Sequence, residues 1–244
     1  MTAPTSPTSV SAGTGPAPFS SERAMALAVV QHLRHAVVTG KLKPGDRIVE
    51  RQLSAELNVS RTPIREGLKL LELDGLVSIS RNRGAEVTAF TSEEALRLFD
   101  VISALEGLAA RRLAESVSAE TLEQLESLHS QMAFHYNRSQ IDPYFGINSK
   151  IHDLIVAACG NPELAETHSR LMLRARRGRY MAIMSPDRWR QSVEEHDALM
   201  AALRARDPDA AALVWTAHLR NTGETLARAL DDDASHAARF PSTP

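Results

Sequence analysis

The chain has 244 residues, 43% of them hydrophobic and 24% charged, with 28 Lys+Arg against 30 Asp+Glu and a formal net charge of −2. That length suits two modest domains with a core in each, and no apolar run approaches a membrane span. The single cysteine, Cys159, excludes an internal disulfide and fits a reducing cytoplasm.

The near-neutral total hides an asymmetry. Residues 21–90 hold 11 Lys+Arg against 8 Asp+Glu, whereas residues 91–233 hold 16 against 22. The positive charge therefore sits in the first third, where a nucleic-acid partner would be met. Residues 1–20 carry no charge and are rich in Pro, Ser, Thr, Ala and Gly. They lack the basic start and apolar middle of a secretory signal, so a disordered tail is expected.

In chain order, residues 24–38 form a helix-like apolar run, and Lys43-Pro44-Gly45-Asp46 reads as a turn. Glu50 to Leu57 reads as a short helix with Leu53 and Leu57 inward. Asn58-Val59-Ser60-Arg61-Thr62-Pro63-Ile64-Arg65-Glu66-Gly67 then starts a new helix. Ser60 is placed to cap it, and Pro63 falls in the first turn, where a missing N–H costs little. Arg61 and Arg65, four apart, share one face. Apolar residues at 64, 68, 71 and 73 give this helix a core side, and Asp74-Gly75 ends it. Two short strands, 76–80 and 85–88, flank a basic turn of Arg81, Asn82, Arg83 and Gly84. Helix, turn, helix and basic hairpin in that order predict a winged helix-turn-helix, whose arginines and hydroxyls suit phosphates and guanine edges in a major groove.

From Thr91 onward helical period dominates. Apolar stripes run through 98, 102, 105, 109 and 113, then 122, 125, 128 and 132, then 141, 145, 148, 152, 155 and 159. Further stripes occupy 164–184, 189–203 and 211–229. The breakers are Asp142-Pro143, Gly160-Asn161-Pro162, Ser185-Pro186-Asp187 and Asp207-Pro208-Asp209. Six or seven antiparallel helices are expected.

Polar residues interrupt three of these stripes: Asn148 and His152 in the third, His196 and His218 in the last two. Unpartnered polar groups are costly to bury, so these four should face one another or a shared guest. Asn148 and His152 are one turn apart. His196 and His218 each lie 11 residues from Asp207 (207 − 196 and 218 − 207). In an antiparallel hairpin those equal offsets, about 16 Å along each axis, put the two imidazoles at one height. Three imidazoles and an amide oxygen at one level make a divalent-metal site. The alternative is a set of buried histidines satisfied by hydrogen bonds. His32, His35, His129, His135, His168 and His236 have no matching partners and are expected at the surface or core edge. Cys159, Trp189 and Trp215 are expected to be packed, and Asp231-Asp232-Asp233 to be a solvated helix end.

On these residues the chain resembles the GntR family of bacterial transcription regulators. Leu33 to Val87 matches the family's N-terminal domain, most diagnostically at Gly40–Asp46 and Val59–Glu66. The resemblance places DNA contacts on Arg51, Ser60, Arg61, Thr62, Arg65, Arg81, Asn82 and Arg83. Gly67 stands where the family usually has Ala. Glycine costs roughly 1 kcal/mol there, so a less rigid recognition helix is expected. Residues 92–230 resemble the all-helical FCD effector domain of FadR-type members, through Asn148-Ser149-Lys150-Ile151-His152, Gly160-Asn161-Pro162, Glu194-Glu195-His196 and Ala217-His218-Leu219. In that family an Asp or Asn and three His bind a metal beside an effector cavity, and the effector is often a small carboxylate. The resemblance thus implies a metal on Asn148, His152, His196 and His218: zinc, with nickel or manganese as alternatives. Many relatives have an Arg where this chain has Ile102, which weighs against a simple organic acid. Arg174, Arg176, Arg177 and Arg179 could compensate, although most of them are expected to be solvated.

The expected architecture is mainly α: a tail at 1–20, a winged helix-turn-helix at 21–90, an antiparallel helical effector and dimerisation domain at 91–233, and a tail at 234–244. The expected function is a cytoplasmic, ligand-responsive repressor that binds an inverted-repeat operator as a homodimer, because one recognition helix reads too few bases alone. Two alternatives remain at this point: a metalloenzyme built on three His with an open position, and a DNA-binding protein whose metal is purely structural. No well-placed general base supports the enzyme.

Overall fold

A computed structural model describes residues 18–80 and 84–239. The wing-tip residues Arg81, Asn82 and Arg83 lie outside the described residues, as do 1–17 and 240–244, and with them most of the expected N-terminal tail and the last five residues of the C-terminal one. The elements run α1 (Pro18–Val38), β1 (Arg47–Ile48), α2 (Glu50–Leu57), α3 (Arg61–Leu73), β2 (Val77–Ser80), β3 (Gly84–Val87), α4 (Ser92–Ser116), α5 (Ala119–Tyr136), α6 (Ile141–Ala158), α7 (Pro162–Ile183), α8 (Pro186–Ala205) and α9 (Pro208–Arg239). The chain is mainly α, with a helix-turn-helix and small sheet first and a helical bundle after.

The N-terminal half is organised by the apolar faces of α1 and α3. Val29, Val30, Leu33 and Val37 meet Ile64, Leu68 and Leu71, and the sheet closes this core with Ile48, Val77, Ala85 and Val87. The sheet is antiparallel in the order β1-β3-β2, with Val77 opposite Val87 and Ser80 opposite Gly84. Asn58 ends α2 in the left-handed conformation, at φ 51°, a role asparagine tolerates better than most residues. Gly67 has a reason other than looseness. A Cβ there would lie 2.9 Å from Val29 Cγ1 and 3.2 Å from the Ala26 carbonyl oxygen. The glycine lets α3 pack closely on α1.

In the second half, Thr91 and Glu94 start α4 with a reciprocal cap. The Glu94 amide donates to Thr91 Oγ1 at 3.1 Å, and the Thr91 amide donates to Glu94 Oε2 at 3.0 Å. Asn161 caps α7, with Pro162 at its first position. Six helices follow one another, and α4 and α9 pack most extensively. Their core holds Phe99, Ile102, Leu113, Leu125, Met132, Ile151, Ile155, Leu199, Leu203, Trp215 and Leu219. Asp231, Asp232 and Asp233 are exposed, but α9 continues past them to Arg239, so they do not end the helix.

The two halves touch. Val38, the last residue of α1, belongs to the helical core. From the other side, the Arg174 guanidinium lies over the Phe90 ring at 5.1 Å, and its stem covers Gly75.

Candidate functional sites

The helix-turn-helix presents one open polar face. Arg51, Ser60, Arg61, Thr62 and Arg65 are all exposed, while Pro63 and Ile64 turn inward to anchor the start of α3. Ser60 occupies the N-cap in an extended conformation, but its side chain makes no capping bond, contrary to the capping role expected from sequence. Arg65 Nε donates to Glu50 Oε2 at 2.8 Å, an exposed pair worth little in itself that sets the guanidinium between the two helices. Arg51, Arg61 and Thr62 have no side-chain partner among the described residues. A helix start with free arginines and hydroxyls can take up phosphates and base edges.

The second site lies inside the bundle. His152 on α6, His196 on α8 and His218 on α9 are buried, and one ligand atom from each lies within 4.8 Å of the others. Ring centroids are separated by 5.6 Å for His152–His196, 5.1 Å for His152–His218 and 5.0 Å for His196–His218. Three separate stripes therefore converge as their spacing implied. Trp215 stacks flat on His218, with centroids 4.5 Å apart and planes 5° apart, which fixes that ring. Asn148, one turn before His152, is also buried, and its Oδ1 has no hydrogen-bond partner.

Two carboxylates set the imidazole tautomers. His152 Nδ1 lies 2.5 Å from Glu106 Oε2, and His218 Nδ1 lies 2.7 Å from Glu195 Oε2. A carboxylate can only accept, so each Nδ1 carries the proton and each Nε2 keeps its lone pair. The Nε2 atoms of His152 and His196 are buried with no partner. Burial pushes His152 down to about 4, and pushes His196 and His218 well below the ordinary imidazole range. All three are neutral near pH 7, the form that binds a metal. Burial opposes charge on Glu106, but His152 and the hydrogen bonds from His152 and His168 outweigh it and hold the carboxyl well below its usual range. Neutral imidazoles with free lone pairs, backed by carboxylates, with an orphaned amide oxygen one turn away, fit a divalent metal.

Other residues here were not identified from sequence. His168, expected at the surface or core edge, is buried, and its Nε2 lies 2.9 Å from Glu106 Oε1. One carboxylate thus serves two imidazoles. Arg188 donates from Nη2 to the His218 carbonyl and to Thr222 Oγ1, each at 2.8 Å, and its Nη1 lies 2.9 Å from Glu195 Oε2. Of the arginines on α7, Arg177 and Arg179 are buried, against the expectation that most are solvated. Arg179 is only 2% exposed, yet neither Nη1 nor Nη2 has a hydrogen-bond partner. Its charge bears on all three cluster histidines. Ile102, where many relatives carry an arginine, is fully buried in the core.

Comparison with known proteins gives a consistent result. The family "Bacterial regulatory proteins, gntR family" matches residues 25–87, and the family "FCD domain" matches residues 97–221. The chain is 28% identical over 194 residues to the HTH-type transcriptional repressor RspR of Escherichia coli K12, covering 80% of this chain and 85% of that protein. It is 27% identical over 202 residues to the HTH-type transcriptional regulator YdhC of Bacillus subtilis, covering 82% and 90%. Among solved structures, E. coli McbR/YncC superposes with a TM-score of 0.67 at 22% identity, covering 88% of this chain and 97% of that one. A GntR transcriptional regulator from Rhodococcus sp. RHA1 gives 0.64 at 19% identity, covering 88% and 98%.

Proposed function

The chain belongs to the GntR family of bacterial regulatory proteins, with an FCD domain after its helix-turn-helix, and from that premise we propose that it is a metal-containing repressor released by a small anionic effector. It is a ligand-responsive transcriptional regulator, not an enzyme. The specific reading is that residues 21–90 bind the operator through Arg51, Ser60, Arg61, Thr62, Arg65 and the wing residues Arg81, Asn82 and Arg83. Residues 91–233 hold one divalent ion, zinc before nickel or manganese, on Asn148, His152, His196 and His218. The observation that carries this reading is the buried trio of neutral imidazoles, two of them (His152 and His196) with an unpartnered Nε2, attached to an exposed arginine-bearing helix start.

The Arg179 guanidinium supports an organic-acid effector even though position 102 is Ile. Its two free terminal nitrogens suit a carboxylate, and a buried charge with no counter-partner is costly. A metal held by neutral Asn148 and three neutral imidazoles also keeps its full positive charge, which a bound anion would offset. Repression is supported by the name of the relative RspR, and a cytoplasmic location by the lone Cys159. A homodimer on an inverted repeat is supported by apolar side chains left exposed on α4, Val101 at 49% and Leu108 at 45%. Among the described residues no helix is long and apolar enough to cross a membrane.

The test is an operator-binding titration of zinc-loaded protein with a panel of small carboxylates. One member of the panel should lower operator affinity in the wild type and have no effect on His196→Ala. A metal-loaded protein whose operator affinity ignores the whole panel would leave a DNA-binding protein with a structural metal only.

A further inference from the structure

The C-terminal end of α1 faces α6 and α7 across a cleft of about 390 Å³, within the size range of small-molecule sites. None of its lining residues belongs to the imidazole cluster, although α6 forms a wall of both. Asn148 and His152 serve the cluster, while Ser149 and Lys150 line the cleft. Its apolar floor is Val38, Phe145 and Tyr180, the two rings meeting edge to face at 5.2 Å.

Three polar groups at this cleft have unspent bonding capacity. Ser149 is 8% exposed, and its Oγ is buried with no hydrogen-bond partner. Arg34 uses Nη2 on Asp74 at 2.6 Å, but its Nε is buried and unpartnered. Lys150 has no ionic partner among the described residues. The carboxylates on the same walls are already engaged. Asp142 accepts from the Tyr180 hydroxyl at 2.6 Å, and Asp153 accepts from Arg176 Nη2 at 2.8 Å. The unspent capacity is therefore the Ser149 hydroxyl, the Nε–H of the Asp74-paired Arg34 and the Lys150 ammonium, beside an aromatic floor. Buried polar groups in native proteins are nearly always satisfied, by protein, water or ligand.

We propose that this seam is a second small-molecule site, separate from the metal cavity, for a compact aromatic or branched apolar body carrying one anionic group. The apolar body packs on Phe145, Tyr180 and Val38, the anion meets the exposed Lys150, and Arg34 Nε and Ser149 Oγ, both closed to solvent in the empty cleft, turn toward it on binding. Such a ligand touches the DNA-binding half through α1 and the effector half through α6 and α7, so its occupancy sets how the two halves are held together. This inference goes beyond the metal-linked reading above and stands without it.

The probe is 2-naphthoate, with neutral 2-naphthamide as control, titrated calorimetrically into the full-length protein. One site is expected, with the amide at least about tenfold weaker, as the loss of charge-assisted contacts implies. Lys150→Glu should weaken naphthoate binding by a similar factor. A Cβ on Gly146, which lines the cleft, would meet nothing within 4 Å, so Gly146→Leu should fill the space and abolish binding without lowering the melting temperature. His196→Ala, which disables the metal cluster, should bind the probe as wild type does. Binding lost in His196→Ala would move the probe to the imidazole cluster and overturn the proposal. So would binding retained in a folded Gly146→Leu, equal affinity for acid and amide, or no binding, which would leave a water-filled seam.

Discussion

Glu106→Gln is the most informative single change to the metal cluster. The side chain keeps its shape, so packing in a fully buried position is preserved, but an acceptor-only carboxylate becomes an amide with one acceptor and one donor end. Glu106 now faces two imidazole nitrogens, His152 Nδ1 at 2.5 Å and His168 Nε2 at 2.9 Å. The amide can accept from only one of them. If its NH2 faces His152, that ring must carry its proton on Nε2 and cannot ligate through it. If the NH2 faces His168 instead, His152 still loses its charged partner and some basicity. Removing such a supporting group costs about 10–100-fold in metal affinity, or roughly 1.4–2.7 kcal/mol. At a fixed metal concentration well above both dissociation constants, the same amount is lost from the metal's contribution to stability. For a chain of this size that is about 3–11 °C in Tm. Competition against a chromophoric zinc chelator gives the affinity, and melting with and without zinc separates the metal term from any loss in the apo protein. Asn148→Asp should move affinity the other way by adding a negative ligand. A variant that binds zinc as tightly as wild type, with the same metal-dependent rise in Tm, would show that Glu106 does not hold His152 for a metal.

Gly67→Ala should lower stability by about 1–3 kcal/mol through overpacking, despite the roughly 1 kcal/mol gain in helix propensity; a rise in the denaturation midpoint would return the glycine to a simple loss of rigidity. Arg65→Ala should weaken operator binding by about 1–3 kcal/mol if the guanidinium reads a base, measured by anisotropy at fixed salt, and unchanged affinity would misplace the recognition helix. The metal-free protein should lose stability as pH falls from about 6.5 toward 4. His152 has its folded value near 4, and His196 and His218 lie well below 6.5. The unfolded chain therefore binds more protons throughout that window, so stability rises with pH across it. A midpoint flat between pH 7 and 5 would contradict neutral burial of the cluster.

The features that could be read from sequence are those set by local spacing. Ser60, Arg61, Thr62 and Arg65 fall within six consecutive residues, and helix geometry alone puts them at one exposed helix start. His152, His196 and His218 stood out because each is a polar residue at helical period within an apolar stripe, and equal offsets from one turn implied equal height. Glu106 follows the same rule, but an apolar stripe drawn on sequence alone prefers its neighbour Leu105. The buried face of α4 runs through Phe99, Ile102, Glu106, Ala109 and Leu113, which differs from that stripe in taking Glu106 rather than Leu105 between the shared positions 102 and 109.

His168, Glu195, Arg179 and Arg188 could not be read that way. The roles of His168, Glu195 and Arg188 come from partners on other helices, 62 residues away for His168 and Glu106 and 23 for His218 and Glu195, and that of Arg179 from being buried without a partner. The seam behind Val38 is likewise absent from any local pattern, since it exists only where α1 meets α6 and α7. Periodicity tells which face of a helix is buried, because the backbone repeats every 3.6 residues whatever surrounds it. Which buried groups meet, and which are left without a partner, depends on how the helices cross and how deep each side chain lies, and those are settled only when the whole chain has packed.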